Sequence, residues 1–166
     1  MKRIAIIGSG GAGKSTLARA LHQKLGLPLV HLDAVFWKPG WVETEQTVWL
    51  VWQQNAVKTE SWIMDGNYGG SMDVRLTTAD TIIFLDLPPL LCVFRALKRF
   101  VEFQGRNRPD RAADCPETME LEFLKWILEF RRKKRPGILE KISKLEGKTF
   151  IRLRSSSEVQ QFLKTF

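Results

Sequence analysis

The sequence predicts an α/β fold built on a parallel sheet, and three observations support this prediction. Short apolar runs rich in β-branched residues alternate with longer segments that have the apolar spacing of helices. A glycine-rich turn joins the first run to the first helix. Three of the runs lead directly into an aspartate, the position where parallel sheets place polar ligand-binding groups. With 166 residues, of which 44% are hydrophobic and 27% charged, the chain suits a single domain spanning residues 1–166.

The first half of the chain predicts three strands and two helices. Residues 3–8 (RIAIIG) are typical of a strand buried on both faces. A helix over 14–25 follows and ends at Gly26 and Pro28. The remaining predicted elements are a strand over 29–32, a helix over 44–58 with Thr44 as its N-cap, and a strand over 62–64.

The second half continues the alternation but contains one segment without apolar periodicity. That segment, 104–116, is dense in Arg, Asp and Gly and is predicted to be a mobile loop or lid. The other predicted elements are a strand over 81–87, a helix over 90–103 started by a proline pair, a helix over 117–135 that breaks at Pro136–Gly137 and resumes to about 145, a strand over 149–153, and a serine-capped helix over 155–166.

Composition excludes several classes of protein. Two separated cysteines and two histidines are too few for a zinc or histidine-rich metal cluster and fit free thiols in a reducing compartment. No leader-like or membrane-spanning apolar run occurs, so we expect a cytoplasmic protein without membrane contacts. The net charge is +8, and the excess lies in residues 92–154, which could contact polyphosphate, nucleic acid or only solvent.

The glycine-rich turn matches the G-x-x-x-x-G-K-S phosphate-binding motif completely and lies between a predicted strand and a predicted helix. Its backbone amides and the helix N-terminus are expected to bind the phosphates of ATP. Lys14 is expected to reach the β- and γ-phosphates, Ser15 to bind Mg²⁺, and Thr16 to contact the α-phosphate. The candidate nucleotide-binding residues are Gly8, Ser9, Gly10, Gly11, Ala12, Gly13, Lys14, Ser15 and Thr16.

The aspartates at the strand ends are candidates for catalysis and metal binding. Asp33 could accept the acceptor's proton or hold metal-bound water, although a loop aspartate can also serve a turn or an N-cap. Asp65 follows the hydrophobic run WIM, the pattern of a Walker B acid that binds Mg²⁺. Asp86 precedes two prolines and is interpreted as a turn residue.

Aromatic and basic residues near these positions have two interpretations each. Trp37 and Trp41 could stack on a base or form a hydrophobic lip, and Lys38 between them could meet an anionic acceptor. Arg95 and Arg99 lie one turn apart on one helix face and could bind the transferring phosphate or point into solvent.

These motifs together resemble the adenylate kinase-like P-loop kinases, and within them the group labelled topology modulation proteins. The resemblance covers nearly the whole chain: GSGGAGKST at 8–16, HLDAVFWKPGW at 31–41, WIMDGNY at 62–68, ADTIIFLDLP at 79–88, the Arg95/Arg99 helix and the arginine loop at 104–116. It implies a three-layer α/β/α P-loop NTPase fold with strand order 2-3-1-4-5, an acceptor-binding segment after the second strand, and a lid. By position, Asp33 resembles the acid facing the acceptor, Asp65 the Walker B acid, and Arg106, Arg108 and Arg111 the lid arginines.

One departure concerns the acceptor. Adenylate kinases follow the equivalent acid with Gly-x-Pro-Arg, whose arginine grips the acceptor nucleotide, whereas this chain has Gly66-Asn67-Tyr68 and its next arginine is Arg75. Adenylate kinase activity is therefore not the predicted function. The candidate acceptor-binding residues are Asp33, Trp37, Trp41, Gly66, Asn67, Tyr68 and Arg75.

The predicted function is a kinase that moves the γ-phosphoryl group of Mg·ATP to a small acceptor, with a lid that excludes water. Its candidate catalytic residues are Lys14, Asp33, Arg95, Arg99, Arg106, Arg108 and Arg111. The alternative is a nucleotide-dependent binding protein that influences DNA topology indirectly, with weak DNA contact. A GTPase-like switch is a third possibility, but no N-K-x-D stretch is present. The sequence predicts neither the acceptor's identity nor the oligomeric state.

Overall fold

A computed structural model of the chain describes residues 1–105 and 112–166. Its strands are β1 (Arg3–Gly8), β2 (Leu29–His31), β3 (Trp37–Lys38), β4 (Val42–Glu43), β5 (Trp62–Asp65), β6 (Thr81–Leu85) and β7 (Thr149–Leu153). Its helices are α1 (Lys14–Leu25), α2 (Leu32–Phe36), α3 (Gln46–Ala56), α4 (Met72–Thr78), α5 (Pro89–Phe103), α6 (Leu121–Lys133), α7 (Arg135–Ser143) and α8 (Ser156–Leu163).

Five strands form one sheet in the order β2-β5-β1-β6-β7, and every neighbouring pair is parallel. Numbered among themselves, these five strands lie in the order 2-3-1-4-5, as the resemblance implies. The labels differ only because the hairpin β3–β4 forms a separate antiparallel ribbon. Because the strands are parallel, their carboxyl ends meet at one edge, where His31 pairs in register with Asp65.

The hydrophobic core lies on both faces of this sheet, because alternate side chains of each strand point to opposite sides. Ile4 and Ile6 of β1 contribute to a cluster with α1, α5, α6 and α8. Ala5 and Ile7 contribute to a second cluster with α4, α6 and α7. Two helical layers therefore cover the sheet and fix its carboxyl edge.

Some predicted boundaries are wrong. The break between α6 and α7 falls at Lys134, and Pro136 lies in the first turn of α7, where a missing N–H costs no hydrogen bond. Helix α3 is capped by Glu45 and not by Thr44, whose hydroxyl donates to the Phe36 carbonyl at 2.6 Å. Helices α2 and α4 and the hairpin were not predicted, because they are too short to show a periodicity. In the part of the chain that the structure describes, no helix has the length and apolarity needed to cross a membrane.

Candidate active site

The phosphate-binding loop lies between the carboxyl end of β1 and the first turn of α1. Its glycines Gly11 and Gly13 have φ angles of 71° and 92°, a left-handed conformation that suits glycine. A Cβ atom on Gly11 would also lie 2.1 Å from the carbonyl oxygen of Cys92 in α5. The loop therefore needs glycine at this position for both its conformation and its contact with α5.

The Lys14 side chain folds back over this loop. Its ammonium group donates to the carbonyl oxygens of Ser9 at 2.9 Å and Gly8 at 3.1 Å. Burial lowers the pKa of Lys14 from its usual 10.5, and the nearby carboxylates of Asp33 and Asp65 offset only part of this effect. An incompletely solvated cation at the loop is suited to bind an anionic phosphate.

A Ser15–Asp65 pair joins the loop to the end of β5. The Ser15 hydroxyl donates to Asp65 Oδ2 at 2.8 Å, and the second Asp65 oxygen, Oδ1, lies 2.5 Å from His31 Nδ1. Asp65 is buried, and each of its two carboxylate oxygens has one of these contacts, so its side chain is fixed in position. His31 is not among the predicted site residues, although its place at the end of β2, the strand beside β5, is a signal that could identify it.

The Ser15–Asp65 pair fits Mg²⁺, a hard cation that prefers oxygen ligands and is usually held by one or two protein groups together with phosphates. Among the residues that the structure describes, no group of three or more His, Cys, Asp or Glu side chains could hold a metal ion. Magnesium at this site would thus depend on oxygens from a bound nucleotide.

Asp33 lies in the first turn of α2, one turn from the hairpin, and accepts a hydrogen bond from the Tyr68 hydroxyl at 2.7 Å. Tyr68 has a φ angle of 41°, which is uncommon for a residue with a side chain. The loop after β5 thus places the Tyr68 hydroxyl beside Asp33, the acid that is predicted to face the acceptor.

Asn67 has a different contact from the one we expected. Its side-chain amide bonds to both backbone groups of Gly8, donating to the carbonyl oxygen at 2.7 Å and accepting from the N–H at 3.1 Å. Asn67 also lines the cavity. Its two hydrogen bonds to Gly8 connect the loop after β5 to the phosphate-binding loop, and we call this contact the Asn67 clamp.

The prediction that Arg75 binds the acceptor is wrong. Arg75 is fully buried, and its guanidinium donates to the carbonyl oxygens of Asn67 at 2.7 Å and Gly66 at 3.2 Å, and to Gln53 at 2.5 Å. Burial lowers its pKa to about 10. The Arg75 side chain extends from α4 to the carbonyl oxygens of the loop after β5, so it supports that loop and does not line the cavity.

The aromatic residues form a wall beside Asp33. The rings of Trp37 and Trp41 meet edge to face at 5.3 Å, and Phe36 contacts Trp37, Trp49 and Tyr68 with ring centroids 4.7–5.2 Å apart. Trp37 and Trp41 line the cavity. Lys38 is exposed and is not among the lining residues, so its predicted contact with an anionic acceptor has no support.

Arg95 and Arg99 both line the cavity from α5. Arg95 donates to the hydroxyl of Ser156 at 2.9 Å, and Arg99 forms an ion pair with the buried carboxylate of Glu117 at 2.9 Å. Glu117, which the sequence analysis missed, orients Arg99. The predicted lid arginines, Arg106, Arg108 and Arg111, lie outside the described residues.

Asp86 is more than a turn residue. It is buried at the end of β6, and its carboxylate forms ion pairs with Arg131, Arg135 and Arg152 at 2.5–3.5 Å. None of these four residues lines the cavity. The cluster therefore joins β6 and β7 to α6 and α7 outside the site.

One cavity of about 1180 Å³ brings most of the candidate residues together. It is lined by the candidates Gly10, Gly11, Ala12, Gly13, Lys14, Ser15, Thr16, Asp33, Trp37, Trp41, Asp65, Gly66, Asn67, Tyr68, Arg95 and Arg99. Gly8, Ser9 and Arg75 are not among its lining residues. The nucleotide side and the predicted acceptor side are therefore two parts of one space.

No family model and no curated protein matches the sequence. Solved structures do match the fold. Shikimate kinase from Acinetobacter baumannii, in complex with shikimate, is 18% identical, with a TM-score of 0.63 over 99% of this chain and 92% of that chain. Shikimate kinase from Bacteroides thetaiotaomicron is 16% identical, with a TM-score of 0.57 over 99% and 95%.

A third similar structure is deoxyadenosine kinase from M. mycoides with bound dCTP. It is 14% identical, with a TM-score of 0.50 over 98% of this chain and 97% of that chain. These similarities show that the chain has the fold of the P-loop kinases, a five-stranded parallel sheet flanked by helices. Identities of 14–18% show the fold but not which substrate this chain binds. The narrower grouping with topology modulation proteins is not confirmed.

Proposed function

We propose that this chain is a small-molecule kinase that transfers the γ-phosphoryl group of ATP, with Mg²⁺, to a small acceptor. The observation that supports this most directly is that one cavity contains the phosphate-binding loop, the Ser15–Asp65 pair and Asp33. A protein that only binds nucleotide does not need a second acid beside a separate aromatic wall in the same space.

The proposed roles follow from the positions of the side chains. The loop amides and Lys14 bind the β- and γ-phosphates, which would replace the carbonyl oxygens that Lys14 now contacts. Ser15 and Asp65 would hold Mg²⁺, which neutralises charge on the phosphates when bound. Arg95 and Arg99 would stabilise the charge that develops on the transferring group.

Asp33 is the proposed general base. As the acceptor oxygen forms its bond to the γ-phosphorus, the bond from that phosphorus to the β,γ-bridging oxygen breaks and ADP leaves. The proton of the acceptor hydroxyl passes to Asp33, which Tyr68 holds in position.

The test is a screen with labelled ATP across nucleosides, nucleoside monophosphates, sugars and small acids, repeated with two variants. Lys14→Ala should reduce transfer by about a hundredfold or more, as measured for other transition-state donors. Asp33→Asn should abolish most transfer while ATP affinity stays near that of the unmodified protein, because Asp33 acts on the acceptor.

The matched controls are Lys58→Ala and Asp73→Asn, which change exposed residues that do not line the cavity. Near-normal transfer by Lys14→Ala would contradict the kinase proposal. An equal loss of ATP binding and turnover in Asp33→Asn would instead make Asp33 a metal-binding or structural residue.

A further inference from the structure

The described Lys and Arg side chains that line the cavity come from a few elements of the fold, whereas carboxylates occur throughout the lining. Its described Lys and Arg residues, Lys14, Arg19, Arg95 and Arg99, all come from the phosphate-binding loop, α1 or α5. We define the acceptor half as the part of the lining that is formed by His31, Asp33, Trp37, Trp41, Glu43 and Tyr68. Among the described residues, this half contains two carboxylates and no Lys or Arg.

The sequence does provide two cations next to the acceptor half, but the fold directs both away from it. Lys38 lies in the hairpin between Trp37 and Trp41, yet its side chain is exposed and not part of the lining. Arg75 follows the loop that carries Tyr68, yet it is fully buried beneath that loop. Neither side chain is placed to bind an anionic group of an acceptor.

The acceptor half also presents flat aromatic rings. The planes of Trp37 and Trp41 stand at 75° to each other and form a corner beside Asp33. Trp41 has a φ angle of 61° and Tyr68 one of 41°, a conformation that is costly for residues with side chains. Both strained residues line the cavity, which is where such strain commonly serves ligand binding.

We propose that the phosphoryl acceptor is a hydroxyl compound that carries no anionic group and presents an apolar or aromatic face. This inference rests on the proposed kinase function. A carboxylate or phosphate in the acceptor half would share that space with the carboxylates of Asp33 and Glu43, and like charges disfavour binding. Neutral rings and cations are instead favoured by indole faces. Nucleosides and amino alcohols belong to this class, whereas nucleoside monophosphates and shikimate do not.

The test uses pairs of compounds in which one member carries an anionic group: adenosine and AMP, cytidine and CMP, methyl shikimate and shikimate. Because the phosphate of AMP and CMP occupies the 5′ hydroxyl, the nucleoside pairs are compared by binding, and the shikimate pair by binding and turnover. ADP release is measured with ATP and Mg²⁺, and binding is measured by tryptophan fluorescence without ATP. In each pair we expect kcat/KM or affinity to favour the uncharged member by about tenfold or more. Choline and phosphocholine, compared in the same way, test cationic acceptors.

A charge-reversal variant tests the cause of this preference. Glu43→Lys should shift selectivity toward the anionic members by about tenfold, because it replaces one of the two carboxylates with a cation. The control Glu146→Lys, at an exposed turn outside the cavity, should leave selectivity unchanged.

The outcomes separate this inference from the kinase proposal. Preference for an anionic member, or a Glu43→Lys variant with unchanged selectivity, would overturn the inference even if transfer is observed. Preferential binding of uncharged members without any ATP turnover would support the inference and overturn the proposed kinase function.

Discussion

The side-chain amide of Asn67 forms two hydrogen bonds with the backbone of Gly8, one through its nitrogen at 2.7 Å and one through its oxygen at 3.1 Å. An amide side chain can donate to a carbonyl through its nitrogen and accept from an N–H through its oxygen at the same residue. This contact joins the loop beside the acceptor half to the first residue of the phosphate-binding loop. The two halves of the cavity are therefore mechanically connected before any ligand binds.

The clamp predicts a loss of stability in the free protein. Asn67→Ala removes the side chain that accepts from the Gly8 N–H and one of the two side chains that donate to the Gly8 carbonyl, the other being Lys14. Losing these hydrogen bonds at a buried residue should lower the free energy of unfolding by about 1–3 kcal/mol. Chemical denaturation without nucleotide or acceptor measures this change. The control is Asn55→Ala, an exposed asparagine in α3, for which we expect a change within about 0.5 kcal/mol. A residue that only contacts the acceptor would leave the stability of the free protein unaltered, so an unchanged Asn67→Ala would contradict the clamp.

A second prediction concerns Arg75, whose planar guanidinium serves three acceptors at once: Gln53 Oε1 and the carbonyl oxygens of Gly66 and Asn67. Arg75→Lys keeps the buried charge, but one ammonium group cannot reproduce the geometry of the guanidinium fork. We expect the free energy of unfolding to fall by about 2–4 kcal/mol, because at least one acceptor is left unsatisfied around a cation that is still desolvated.

The same substitution at an exposed arginine is the control for Arg75. The side chain of Arg132 in α6 is 77% exposed, and Arg132→Lys should change stability by no more than about 0.5 kcal/mol. Equal effects of the two variants in thermal or urea unfolding would mean that the buried contacts of Arg75 contribute nothing beyond those of a surface arginine.

Local sequence patterns were enough to predict the phosphate-binding loop and the five strands of the parallel sheet, but not the two strands of the hairpin. Strand β1, the glycine turn and the start of α1 follow one another within a few residues, so composition and spacing identify them directly. The strand order came from the family resemblance and agrees with the sheet. The predicted placement of Lys14, Asp33 and Asp65 around one cavity followed from the rule that parallel strands share a carboxyl edge.

The errors share one physical cause: sequence shows which residue types are near each other in the chain but not where each side chain points. Arg75 was assigned to the acceptor because it was the next arginine after Tyr68, yet α4 turns it inward. His31 binds Asp65 from a neighbouring strand, and Glu117 binds Arg99 from the other side of the 104–116 segment. Such pairs depend on the tertiary fold and leave no periodicity to detect.

A last prediction separates two reasons for glycine in the phosphate-binding loop. Gly11 and Gly26 have nearly the same φ angle, 71° and 68°, so alanine meets similar backbone strain at either position. Their surroundings differ. A Cβ on Gly11 would lie 2.1 Å from the backbone oxygen of Cys92, whereas a Cβ on Gly26 has no atom within 4 Å.

Gly26→Ala should therefore cost only the left-handed backbone strain, about 1–2 kcal/mol, and leave ATP affinity unchanged. Gly11→Ala should cost more than this in the free energy of unfolding and should reduce ATP affinity by about tenfold or more, since either the loop or the first turn of α5 must move and the amides lose their alignment toward the phosphates. Urea denaturation and titration with a non-hydrolysable ATP analogue measure the two effects. If both variants lose the same stability and keep the same ATP affinity, the close approach of Gly11 to Cys92 does not constrain the loop, and backbone conformation alone explains the glycine.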